Sequence, residues 1–293
     1  MPSESNLGEA NREQSKDESF DGFCRCALRV ADNMKLLEYK TGYSMVAFST
    51  MRGEGYGNYG GFNITGYCGD CPAHVAECRK QLCKKLGIED HRLLLPRQTH
   101  GDKVLVINEL FMQKPAEEQS KLLHGIDAVV TELKRTCIGV STADCIPILM
   151  YDNRRGVVAA AHAGWRGTVA RIAEKSVATM TGSYGCRPEE IKAIIGPGIS
   201  LDSFEVGDEV YERFKENGFG MEGIAKRYPT ADGGKKWHID LWEANRQQLL
   251  SCGIGDKNIH IAAVCTYKEH ERFFSARRLG IESGRIFSGA MLL

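Results

Sequence analysis

Three stretches of this chain carry metal-ligating and nucleophilic side chains at places where simple folding would favour apolar or turn residues. The first, Gln98-Thr99-His100-Gly101-Asp102, sets a histidine beside a glycine just before an apolar strand, where an imidazole can face a cleft; the plain alternative is a surface or capped histidine. The second, Ser141-Thr142-Ala143-Asp144-Cys145, interrupts the apolar runs CIGV and IPILMY. Buried polar groups cost free energy unless paired, so such a conflict marks a site. A tight turn, with Asp144 bonding backbone groups and Cys145 serving as a small hydrophobe, would look the same. The third, Ala161-His162-Ala163-Gly164-Trp165-Arg166-Gly167, ends an apolar strand and begins a helix. Its glycines allow close approach, the first helical amides are unpaired, and Arg166 offers a fork of donors suited to phosphate.

Together His100, Cys145 and His162 are two imidazoles and a thiolate, a set that suits zinc with one coordination position open and that also accepts copper. An open position means catalysis, although the long spacings do not by themselves bring the three together. Cys145, Asp144 and Arg166 are the candidate catalytic residues, with Asp102 a further candidate acid. Arg52, Asn63, Gln98 and Gly164 are the candidate substrate contacts. Arg166 is the first choice of phosphate clamp and Arg52 the second.

These stretches need strands and helices to position them. SMVAFST reads as a strand leading into the Gly-rich loop MRGEGYGNYGGFNITG, which is too irregular for a dinucleotide or P-loop fingerprint. A helix is expected from Pro72 to Leu86, with Gly87 as its stop. Strands KVLVIN, DAVVTE, TCIGVST, IPILMYD and GVVAAAHA follow, then a helix from about Thr168 to Thr181 and the strand IKAIIG. Helices near Asp208 to Asn217 and Asp240 to Cys252, a strand IHIAAVC and a Gly-rich tail ending FSGAMLL complete the pattern. Several strand pairs lie too close in sequence for a helical crossover, so antiparallel pairing must be common and an α+β fold of mixed sheets is favoured over a doubly wound one.

Composition narrows the function classes. Of 293 residues, 42% are hydrophobic, enough for a sizeable core. Lys+Arg and Asp+Glu are balanced at 38 each, which gives no net field to attract nucleic acid or an anionic membrane. No run is long enough to span a bilayer, and the polar, acidic start lacks the features of a secretory signal, so a cytoplasmic setting is expected. Eleven cysteines, an odd number, read as free thiols. Residues 1–35 lack periodicity and are read as a disordered extension, with a short helix around Phe20 to Met34, ahead of one catalytic domain over 36–293.

PRQTHGD, DAVVTE, STADCIPI, AAHAGWRGT, IGPGIS and FFSARR occur here in the order in which the YfiH/YlmD family, the laccase-domain family, has them, and the chain resembles that family from about Lys40 onward. The resemblance implies an α+β fold with mixed sheets in a layered α-β-β-α arrangement, and zinc held by His100, Cys145 and His162. It implies a cytosolic purine nucleoside phosphorylase that takes adenosine, inosine, guanosine and S-methyl-5'-thioadenosine with inorganic phosphate, and zinc-dependent adenosine deamination as well. Arg52 stands one residue away from the arginine of the family's loop, and Arg277 and Arg278 match the family's end only in part. Cys68, Cys71, Cys78 and Cys83, with His74 between them, have a zinc-knuckle spacing, but the family keeps other residues at those cysteine positions.

Three rivals stand beside this reading. A copper-dependent polyphenol oxidase would use the same three ligands, whereas a multicopper oxidase needs many imidazoles, commonly in close pairs, and only eight histidines are present, no two separated by a single residue. A metal-free cysteine hydrolase would use Cys145 as nucleophile and His162 as base. A nucleoside-binding module would turn nothing over.

Overall fold

The computed structural model describes residues 34–293 except Tyr43, Tyr56 and Asp232, so the expected extension and its helix from Phe20 fall outside the described residues but for their last positions. A six-stranded sheet runs Ile259–Ile261, Lys192–Ile195, Ile146–Asp152, Val157–Ala163, Ala128–Thr131, Val104–Ile107. Its three inner pairings are antiparallel and its two outer ones parallel. A five-stranded sheet runs Leu36–Tyr39, Met45–Thr50, Ile286–Leu292, Cys137–Thr142, Leu93–Leu94, antiparallel except at the last pair. A small antiparallel sheet orders Glu205–Val206, Lys235–Ile239, Ala225–Pro229.

The strand Ile146–Asp152 is apolar on both faces because both are covered. Ile146, Ile148 and Met150 pack with Ile172, Val177 and Met180 of the helix Ile172–Tyr184 and with Leu241 and Leu249 of the helix Leu241–Ser251. Leu149 and Tyr151 face the other sheet, joining Val158, Ala160, Ile138, Val140 and Ala290. On the outer face of the five-stranded sheet, Cys78, Leu82 and Cys83 of the helix Pro72–Leu86 pack against Phe48, Phe287 and Met291. The order is helix, sheet, sheet, helix: the mixed sheets that the strand spacing leads one to expect, in the layers that the family resemblance implies. Full burial of a side chain such as Leu82 is worth about 2 kcal/mol, and the layer between the sheets repeats that gain many times.

The helix Pro72–Leu86 has the expected bounds for the expected reasons: proline in its first turn, Gly87 in the left-handed conformation at its end, and Lys84 and Lys85 in the last turn. Other expectations need correction. The helix placed at Thr168 to Thr181 is two pieces, Trp165–Val169 and Ile172–Tyr184, separated by Arg171 at φ 65°. Its guanidinium donates to Glu174 and to the Asn217 carbonyl and lies over the Phe219 ring, and those contacts hold the break. The tail FSGAMLL is no loose end but part of the strand Ile286–Leu292, buried along its whole length between two others. Its Phe287 ring lies where a side chain on Gly139 would be, since a Cβ there would come within 2.3 Å of it. Glycine in this sheet is room for an aromatic ring.

Candidate metal centre

His162 ends the strand Val157–Ala163 on the phase that faces the space between the sheets, alternating with Ala161 and Ala163, which face the helices. Cys145 immediately precedes the neighbouring strand, whose Pro147 pairs with His162. His100 lies on the loop before Val104–Ile107. One ligand atom from each of the three falls within 4.8 Å of the others, and the two imidazole rings meet edge to face with centroids 4.8 Å apart. The three long sequence spacings therefore close on one point. His162 is buried, Cys145 half-buried and His100 exposed, so the group is deep at one end and open at the other.

Asp127, fully buried, holds this arrangement. Its Oδ1 accepts from His162 Nδ1 at 2.8 Å and from the His100 amide at 3.0 Å. Its Oδ2 accepts from the amides of Gly101 at 2.8 Å and Thr99 at 3.2 Å. One carboxylate thus fixes the ring of one ligand and the backbone of another, leaving His162 Nε2 to face the third. Although burial disfavours its charge, these donors, His162 foremost, hold its carboxyl below the usual range. The sequence offered DAVVTE as a strand and no role for its aspartate; the available signal was an acid opening an otherwise apolar run.

Burial alone would raise the Cys145 thiol, but the nearby imidazoles of His162 and His100 overcome it and bring it down to about 6. Burial alone would likewise discharge His162, but Cys145 and Asp127 push it up to about 9. These shifts favour a thiolate beside an imidazolium in the metal-free pair; the thiolate can bind metal or act as nucleophile, whereas His162 Nε2 has to give up its proton before it can be a ligand. Backbone strain sits at the same place: His100 at φ 61° and Asp144 at φ 87° both occupy the left-handed region. Gly164 is needed for space, because a Cβ there would lie 2.8 Å from Cys145 Sγ and 3.2 Å from His100 Cδ2.

Several candidate contacts are engaged within the fold instead. Arg52 donates to the carbonyls of Gly57, Gly60 and His270, pinning the Gly-rich loop, so its guanidinium is not a free anion clamp. Asn63, fully buried, donates to Asp70 and accepts from the amides of Thr65 and Arg285. Gln98 mimics a strand neighbour, accepting from the Ser141 amide and donating to the Ser141 carbonyl, both at 2.8 Å. Asp144 accepts from the Thr266 hydroxyl and the Arg277 amide, both at 2.7 Å, which occupies each of its oxygens and ties the chain beside Cys145 to two later loops. Asp102 pairs with Lys175. The guanidinium of Arg277 bonds the Glu205 carbonyl, and that of Arg278 lies over the Tyr267 ring. Arg166 remains: exposed, its guanidinium lying 4.3 Å from the Trp165 ring centroid with no side-chain hydrogen-bond partner among the described residues. The helix it begins has only five residues, so the unpaired amides of its first turn, and no sizeable dipole, would support an anion there.

The zinc-knuckle spacing does not form a site. His74 is bound by Asp70 at 2.8 Å and Cys78 at 3.5 Å, Cys68 donates to the Thr65 carbonyl, and among the described residues only His100, Cys145 and His162 group as metal ligands.

Residues 45–293 match the family model described as multi-copper polyphenol oxidoreductase laccase. The chain belongs to that family. A purine nucleoside phosphorylase of Bacteroides thetaiotaomicron is 43% identical to this laccase-family chain over 270 residues, covering 90% of this chain and 99% of the relative. A protein of an unknown prokaryotic organism named adenosine deaminase RL5 is 46% identical over 245 residues, 83% of this chain and 92% of its own. The crystal structure of YlmD from Geobacillus stearothermophilus superposes with a TM-score of 0.77 at 26% identity, covering 88% of this chain and 99% of that one. That of YfiH from Bacillus licheniformis gives 0.75 at 26%, covering 85% and 93%. Whatever the family's title says of several coppers, the described residues offer one three-ligand group. Its donors suit a tetrahedral ion: the ligand atoms lie within 4.8 Å of one another, so none has to approach another by more than about 1.5 Å to reach the roughly 3.3–3.6 Å separations of zinc bound at its usual bond lengths.

Proposed function

We propose that this laccase-family chain is a purine nucleoside phosphorylase acting on adenosine, inosine, guanosine and S-methyl-5'-thioadenosine, with a zinc-dependent adenosine deaminase activity. The observation that carries the reading is the convergence of His100, Cys145 and His162, oriented by Asp127, in a chain whose relatives bear both names. Zinc, when bound, supplies Lewis acidity and lowers the pKa of a water molecule toward neutrality, the chemistry that deamination needs. Copper fits the same donors. We take residues 36–293 as one catalytic unit, 1–35 as an extension, and the setting as cytosolic.

In phosphorolysis an oxygen of inorganic phosphate bonds to the anomeric carbon, the glycosidic bond breaks, and its electron pair leaves with the purine, which takes up a proton. Arg166 and the first-turn amides of Trp165–Val169 hold the phosphate. Gly164 lets the nucleoside approach Cys145 and His100 closely. Asp144 is a positioning residue, holding Cys145 at the cleft through Thr266 and Arg277. Incubating the protein with adenosine and phosphate should yield adenine and ribose-1-phosphate, and phosphate-free buffer with zinc should yield inosine and ammonia. A Cys145→Ala variant that turns over as fast as the parent would sink the reading.

One observation favours a second reading. Asp127, His162 and Cys145 form a carboxylate–imidazole–thiolate series in which the thiol sits at about 6, the arrangement of an activated cysteine nucleophile. Stoichiometric alkylation of Cys145 in freshly purified protein with no zinc released would support it.

A further inference from the structure

The layer between the two sheets has a second opening, at the end away from the metal centre. Tyr151 lies six residues beyond Cys145 along Ile146–Asp152, which at about 3.3 Å per residue places it about 20 Å away. There a cavity of about 600 Å³ lies between Leu36–Tyr39, an edge of the five-stranded sheet, and Ile259–Ile261, an edge of the six-stranded one. Leu37, Ile194 and Tyr39 line it, and the Tyr39 ring meets His260 edge-on at 6.4 Å.

Two features of the lining point to a ligand. Tyr151 is only 5% exposed as a residue, and its hydroxyl, which has no hydrogen-bond partner among the described residues, is left to the cavity it lines. Lys40, Lys192 and Lys257 stand around the same cavity, exposed and without ion-pair partners among the described residues. The single carboxylate of the lining, Glu38, faces Lys85 at 3.8 Å. Three lysines, an apolar and aromatic wall and a tyrosine hydroxyl without a protein partner are complementary to a flat ring that carries an anion.

We propose that this cavity is a second binding site, for an aromatic phosphomonoester of mononucleotide size. The ring lies against Tyr39 and Ile194, a ring heteroatom meets the Tyr151 hydroxyl, and the phosphate stays among the lysines. The site is separate from the metal centre and does not depend on its chemistry.

Calorimetric titration of the full chain with adenosine 5'-monophosphate tests this, with adenosine and inorganic phosphate as separate titrants. One equivalent should bind, equally well to Cys145→Ala, and added salt should weaken it. The double variant Lys192→Glu/Lys257→Glu should lose affinity by about tenfold or more while melting at the parental temperature, and Tyr151→Phe should lose a smaller factor. Affinity unchanged by the charge reversal, or binding abolished by Cys145→Ala, would place the nucleotide at the metal centre and overturn the proposal. So would an absence of binding at millimolar nucleotide, or inorganic phosphate binding as tightly as the nucleotide.

Discussion

Asp127→Asn is the sharpest test of how the ligands are held. Each oxygen of the buried carboxylate receives two donors: Oδ1 those of His162 Nδ1 and the His100 amide, Oδ2 those of the Thr99 and Gly101 amides. Asparagine has one acceptor oxygen and one amino group, so with His162 kept in its present tautomer two donors face N–H hydrogens whichever way it turns. Leaving a buried donor unsatisfied costs about 1–3 kcal/mol, and two together about 2–6 kcal/mol, though rotation of the loop toward solvent would recover part of that. Because the same bonds orient two ligands, zinc affinity should fall about 10- to 100-fold, the range for loss of such a supporting carboxylate. Urea unfolding reports the first quantity and competition with a chromophoric chelator the second. A variant that matches the parent in both would refute the idea that this carboxylate organises the centre.

Further expectations follow from other residues. Gly164→Ala puts a methyl group 2.8 Å from Cys145 Sγ and should lower zinc occupancy, at a cost in stability of about 1–3 kcal/mol by metal analysis and urea unfolding. Arg166→Ala should raise the KM for phosphate by about tenfold with a smaller change in kcat, read from phosphate saturation curves. Cys145→Ala should abolish turnover and stoichiometric zinc together, by product chromatography and metal analysis. His74, hydrogen-bonded by Asp70 and Cys78, is pushed up from 6.5 to about 10, so it holds its proton longer in the fold than in the unfolded chain. Its stabilising contribution is complete below pH 6.5 and is lost as pH rises toward 10. The stability gap between the parent and His74→Ala should therefore narrow between pH 6 and 10, leaving the pH-independent packing loss, as urea midpoints would show.

The mixed sheets and the helix Pro72–Leu86 are legible from local signatures, strand alternation and caps, and the stretches that hold His100, Cys145 and His162 from polar residues beside apolar runs; the layering and the meeting of the three come from the family resemblance, because long spacings say nothing of contact. Arg52 and Asn63, polar groups in a Gly-rich loop, and Gln98, two residues before His100, read from the sequence as substrate contacts. Sequence does not say whether the partner is a ligand or the protein's own backbone, and here carbonyls and amides from residues far away in the chain satisfy them. Asp127 is harder to find in the sequence, since three of its four donors are backbone amides and the fourth, His162 Nδ1, lies 35 residues away. The strand Ile286–Leu292 was hidden by Gly289, and the strand Leu36–Tyr39 by its short length at the boundary of a polar segment.

The gradient of burial across His100, Cys145 and His162 would give metal exchange a direction. The deep imidazole and the thiolate would hold an ion from behind, and only the exposed His100 side would be open to solvent or to a chelator. Retention of the ion would then depend on the loop that carries His100 more than on the stability of the layered core.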